Sequence, residues 1–203
     1  MGTKTSNKII VLGPDNNSFG GIATCINNIV KSNISSVFDI LHIKTGNISN
    51  AKVSFTGRIT RTLNQLNQLL NNRHDALNKI IHIHTASEMS FWRYTIFITL
   101  SKLLGIKILL HIHGASFKEF YNESNIFNKY LITSFIESCS HLVVLSSHWH
   151  DFFSRITPKI EKTEVVNKIS REDSIKSSDR IIFENENIIG SISLTNGGAI
   201  DDL

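Results

Sequence analysis

The chain has 203 residues, 41% hydrophobic and 19% charged, which is ordinary globular usage and enough for one sizeable core with an appendage. Its formal net charge of +4 comes from dispersed Lys and Arg rather than from runs, so a nucleic-acid partner is not expected. Cys25 and Cys139 lie far apart and match no CxxC spacing, which argues against a disulfide framework or a zinc knuckle and predicts two reduced, buried thiols.

The segment Met1 to Lys8 is polar, and the apolar run after it, Ile9 to Leu12, is far too short for a signal peptide. A cytoplasmic location is expected. Lys8 to Gly13 reads as a strand buried on both faces, and from Gly20 onward Ile22, Cys25, Ile26 and Ile29 recur at helical spacing. Phe38 to Ile43 predicts a second strand, and Ile59, Leu63, Leu66 and Leu70 mark a second helix with polar residues between them. Lys79 to His84 predicts a strand, Ser90 to Leu104 a helix capped by Ser90 and closed by Gly105, and Ile106 to His111 the next strand. The longest apolar stretch, Tyr94 to Leu110, is broken by Lys102, Gly105 and Lys107, whereas a bilayer span needs about 20 mostly apolar residues. Asn125 to Ser138 predicts a further helix. His141 to Leu145 is another buried strand, Ser146 an N-cap for a short helix through Trp149 and Phe153, and Thr163 to Val166 a last strand.

Strands alternating with helices predict an α/β fold, a Rossmann-like doubly wound parallel sheet with helices on both faces and a crevice beyond the strand C-terminal ends. The expected organisation is a domain over residues 1–166, a polar linker over 167–180, and a short incomplete extension over 181–203. Within that extension Ile181 to Phe183 and Ile188 to Ile192 would open a second sheet.

Three features fall at predicted strand ends. The loop from Gly13 to Gly21 has paired glycines, Gly20 and Gly21, leading into a helix; it fits either an anion cradle or a plain turn needing positive φ. It is not a GxGxxG fingerprint. His82 and His84, and His111 and His113, form HxH pairs, and residues two apart on a strand share a face, so neighbouring strands would gather four imidazoles. Carboxylates nearby are few and satisfied structural histidines are common, so no metal is expected. His113-Gly114 lies where a strand runs out into a glycine turn, and its imidazole either projects into the crevice toward a hydroxyl or phosphate or merely caps the strand. No GxSxG elbow, Walker A motif or HExxH occurs, so hydrolase, P-loop NTPase and zincin readings lack their signatures.

Gly20-Gly21-Ile22, His82-Ile-His84 leading to Ser90 and Phe91-Trp-Arg93, Leu110-His-Ile-His113-Gly114-Ala115 with Phe117, Phe120 and Tyr121, and Leu142-Val-Val-Leu145-Ser146 with Trp149 resemble, in order, the N-terminal acceptor-side domain of a family 4 (GT-B) glycosyltransferase. The resemblance runs over roughly residues 8–170 and is strongest from Ile80 to Trp149. It implies transfer of a sugar from a nucleotide donor with retention of configuration. His113 would line the reaction centre as the catalytic residue. Gly20 and Gly21 would approach the donor diphosphate, Arg93 would sit near the acceptor, and Gly114 and Phe117 would complete the substrate-binding set. The family needs no bound metal or cofactor; the nucleotide sugar is a co-substrate and a saccharide or lipid-linked molecule the acceptor.

Ile188 to Asp201 is similar to the opening strand and turn of the family's donor domain, but Ser191 and Gly197 stand where the family has Arg and Lys to neutralise the leaving diphosphate. Three readings follow: an inactive shortened enzyme, half of a split enzyme with a separate donor-domain chain, or a non-catalytic module for an anionic lipid or saccharide that uses the Ser90 to Leu104 helix at a membrane face.

Overall fold

The computed structural model describes residues 8–15, 18, 20–36, 38–46, 54–72, 79–114, 116–160, 162–165, 180–185 and 188–193. Short apolar runs build β1 (Lys8–Gly13), β2 (Asp39–Lys44), β3 (Lys79–Thr85), β4 (Lys107–Ile112), β5 (His141–Val144) and β6 (Lys162–Val165). These six pair in the order β2-β1-β3-β4-β5-β6, every pair parallel. β3 is buried at all seven positions, the pattern of a central strand covered on both faces.

The crossovers carry α1 (Gly21–Lys31), α2 (Phe55–Asn71), α3 (Glu88–Leu103), α4 (Phe117–Glu123), α5 (Ile126–Glu137) and α6 (Ser147–Ile156). Alternate strand residues divide the core into two. Ile10, Leu12, Ile81, Ile83, Leu110 and Val144 pack with residues of α2 to α6 on one face. Ile9, Val11, Ile80, Leu109 and Val143 pack with Ile26 and Ile29 of α1 on the other. This is the doubly wound α/β sheet that the alternation of strands and helices predicts.

Helix ends follow local chemistry. Asn125 caps α5 by accepting from the Asn128 amide at 2.8 Å, and Ser146 caps α6 through Trp149 at 3.5 Å. At the end of α3, Gly105 takes φ 70 while its amide reaches the Lys102 carbonyl and that of Ile106 reaches Ser101, a pattern that satisfies the last carbonyls. The start of α3 departs from expectation. The cap position is Ser87, whose side chain makes no capping bond, and Ser90 sits inside the first turn with its Oγ 3.5 Å from the Ala86 amide. α4 is an additional short helix, with too few turns to show a period in sequence.

β7 (Arg180–Asn185) and β8 (Ile188–Ser193) form a separate two-stranded antiparallel sheet with Ser191 opposite Ile182. Arg180 belongs to β7; Val166 of the expected last strand, residues 167–179 of the expected linker, and Gly197 lie outside the described residues.

Candidate functional site

Winding reverses between β1 and β3: α1 leads from β1 outward to β2, and α2 returns the chain to the other side of β1. Ligand crevices of open α/β sheets lie at such a reversal, beyond the strand C-terminal ends. At this seam Gly13 of β1 faces His84 of β3, and His84 is in register with His111 of β4. A Cβ on Gly13 would lie 2.3 Å from Ile26 Cδ1 and 3.3 Å from His84 Cβ, so the missing side chain is what lets α1 settle onto the sheet here.

The β3 and β4 histidine pairs are neighbours and share the α1 face. Ring centroids of His82 and His84 lie 4.0 Å apart, those of His84 and His111 5.0 Å, and those of His111 and His113 3.9 Å. His82, His84 and His111 are buried, while His113 is half-buried at the strand end. His84 Nδ1 and His113 Nε2 share a hydrogen bond of 2.9 Å. The other ring nitrogens of this group are less well served: both of His82, both of His111 and Nε2 of His84 are buried without a hydrogen-bond partner. The sequence predicts satisfied histidines, and these are not.

Burial pushes His82 down to about 3, with repulsion from His113 adding to it. Burial first, and then the neighbouring imidazoles, hold His84 and His111 well below the usual histidine range. The buried part of the cluster is therefore neutral at neutral pH. Above it lies α1, whose half-buried Cys25 brings its sulfur among the histidines: one ligand atom each from Cys25, His84, His111 and His113 lie within 4.8 Å of one another. Desolvation pushes the Cys25 thiol up to about 11. Cys139 is buried in the opposite core.

The remaining sequence-predicted residues separate into groups. Gly20 adopts φ 126 and stands at the N-cap of α1 without a side chain, so the amides of Gly21 and the rest of the first turn have no side-chain cap. Gly114 follows His113 on the β4–α4 loop, where a Cβ would lie 3.1 Å from the Ser87 amide nitrogen; that loop crosses closely over the β3–α3 loop. These positions all belong to the C-terminal end of the sheet. Arg93 stands apart on α3, exposed, with its guanidinium 5.0 Å from the Tyr94 ring centroid and donating to the Tyr94 hydroxyl at 3.3 Å. Tyr94 is in turn hydrogen-bonded to Thr45, just past β2. Phe117 is fully buried, its ring 5.6 Å from that of Phe91 and 5.1 Å from that of Phe153. It is a core residue that holds the loop from below, not the substrate-facing ring expected from sequence.

Two participants carry no obvious mark in the sequence. Cys25 reads as a bland thiol, although its helical spacing with Ile22, Ile26 and Ile29 already turns it toward the sheet. Glu88 has φ 55, a left-handed conformation unusual for a non-glycine residue, beside the Ser87 that Gly114 crosses.

No family model matches the chain. The membrane protein insertase YidC of Pelagibacter ubique (strain HTCC1062) is 55% identical over 47 residues, which is 23% of this chain and 8% of that protein's length. Among the described residues, no helix is long and apolar enough to cross a membrane.

Proposed function

We propose that residues 8–165 form the acceptor-side, Rossmann-like half of a retaining glycosyltransferase, with His113 at the reaction centre. A nucleotide sugar serves as donor and co-substrate, and a saccharide or lipid-linked molecule as acceptor. The donor-binding half lies on the same or a separate chain, and the enzyme works in the cytoplasm or peripherally at the inner face of the cell membrane. The observation that carries this reading is the position of His113: half-buried, hydrogen-bonded to His84, and followed by a glycine that allows close backbone approach at the C-terminal end of β4.

The chemistry follows from that placement. His84 is kept neutral by its surroundings, and the 2.9 Å bond to His113 orients the second imidazole and couples the tautomers of the two rings. The uncapped amides of α1 offer partial positive charge to a diphosphate. Calorimetric titration with UDP, GDP and a panel of nucleotide sugars, alongside His113→Ala, tests the reading. Binding that the variant weakens supports it; a folded chain that binds none of them removes it.

A second reading, a non-catalytic module for an anionic lipid or saccharide, draws on one feature. Leu63, Leu66 and Leu70 of α2 and Ile96, Leu100 and Leu103 of α3 line an open groove of about 530 Å³. Exposed Leu103 and Met89 extend apolar surface along α3. Sedimentation with anionic vesicles at low salt decides it: a chain that stays in the supernatant eliminates the lipid form of this reading.

A further inference from the structure

Five buried ring nitrogens without partners are costly. Each forfeits its hydration, about 1–3 kcal/mol for an unsatisfied buried polar group. Three of them belong to His84 and His111, neighbours on paired strands, and a cysteine on the covering helix places its sulfur in the same space; the two of His82 lie outside that group. We infer that Cys25, His84, His111 and His113 bind one Zn²⁺-type transition-metal cation at the seam between α1, β3 and β4.

The donor set selects the class of ion. Three imidazoles and one thiolate suit a borderline dication, Zn²⁺ or its substitute Co²⁺, and not Ca²⁺ or Mg²⁺, which take oxygen ligands. The geometry is close to what such an ion requires. With Zn–N of about 2.0–2.1 Å and Zn–S of about 2.3 Å, the ligand atoms of a tetrahedral site lie roughly 3.3–3.6 Å apart. The four atoms here lie within 4.8 Å of one another, and two of the imidazoles already meet at 2.9 Å. Bringing a pair at the 4.8 Å limit to that spacing takes about 1.2–1.5 Å of side-chain movement. His84 and His111 sit on paired strands, and Gly13 sets the depth of α1 above them, so three elements fix the ligands in advance.

Four protein ligands leave no open position, so the ion is structural and pins α1 to the sheet. A bound cation engages His113, and metal uptake and a reaction-centre role for His113 exclude each other in one molecule. The inference therefore competes with the reaction-centre role of His113 in the glycosyltransferase reading, and the two fail separately because uptake is read by spectroscopy rather than by transfer or nucleotide binding.

The test is titration of the untagged, chelator-stripped full chain with Co²⁺, followed by displacement with Zn²⁺. The expected result is one equivalent of Co²⁺ with the intense visible bands of a tetrahedral site and a sulfur-to-cobalt charge-transfer band. Cys139→Ser keeps that band, because Cys139 lies in the opposite core. Cys25→Ser loses it and binds at least about tenfold more weakly, and His111→Gln weakens binding by a similar factor. If either of these two variants fails to fold, the spectrum of Cys139→Ser still assigns the sulfur. A folded wild-type chain that shows only weak octahedral cobalt bands overturns the inference, and so does a charge-transfer band that survives in folded Cys25→Ser.

Discussion

His84 Nδ1 and His113 Nε2 lie 2.9 Å apart, and because burial keeps His84 neutral a single proton serves that hydrogen bond. The tautomers of the two rings are thereby coupled: with both rings neutral, either both carry the proton on Nδ1 or both on Nε2. Long-range ¹H–¹⁵N correlation spectra of metal-free wild-type protein at neutral pH are expected to show the same tautomer on His84 and His113. In His84→Leu the two tautomers are expected to mix; an unchanged spectrum contradicts the coupling.

The buried cluster makes the fold sensitive to acid. His82, His84 and His111 have native pKa values below the ordinary value near 6.5, so the unfolded chain binds more protons once the pH falls below about 6.5. Their contribution to stability is full above that point and declines as the pH drops, by about 1.4 kcal/mol per pH unit for each histidine that stays neutral in the native state. Denaturant unfolding between about pH 7 and about pH 4 is expected to show net proton uptake from these histidines, with half-buried His42, which burial also holds below the ordinary value, adding to it. His82→Leu, which removes two unpartnered nitrogens, is expected to lose one proton from that slope and to gain about 1–3 kcal/mol at neutral pH.

Phe117 separates packing from binding. Its ring is fully enclosed by Phe91, Phe120 and Phe153, so Phe117→Ala is expected to cost about 3–5 kcal/mol of stability, measured by chemical denaturation. A variant of unchanged stability with weakened ligand binding would return Phe117 to the substrate surface.

Gly13→Ala tests the close seating of α1. The added methyl meets Ile26 Cδ1, and Ile26 is itself fully buried, so relief requires repacking between helix and sheet. The expected loss is about 1–3 kcal/mol in urea unfolding, and Ile26→Val in the same chain should return part of it.

The order of elements was legible because each strand is a compact apolar run and each helix a periodic one. Ile9 to Leu12 and Ile80 to Ile83 are short runs rich in β-branched residues, too short for a helix and of the length of a buried strand. The meeting of four imidazoles was also legible, since the two-residue spacing puts His82 with His84 and His111 with His113 on one face once their strands are adjacent. Whether those nitrogens found partners was not, because that depends on what α1 brings from the other side. The N-terminus of α3 was less legible: Ser87 and Ser90 are both serines near its start, and the structure places the cap position at Ser87, before a left-handed Glu88. Phe117, which the resemblance places in the substrate-binding set, opens α4, a helix too short to show a period in sequence that would mark its buried face.

The claim that the crevice at the C-terminal ends of β1 and β4 is the working site is tested most directly by ¹H–¹⁵N spectra recorded during titration with UDP-sugars and GDP-sugars. Saturable shifts centred on the amides of Gly20, Gly21, His113 and Gly114, with Leu63 and Thr99 of the α2–α3 groove unmoved, are the predicted result. Shifts confined to that groove, or none at millimolar ligand, would contradict it.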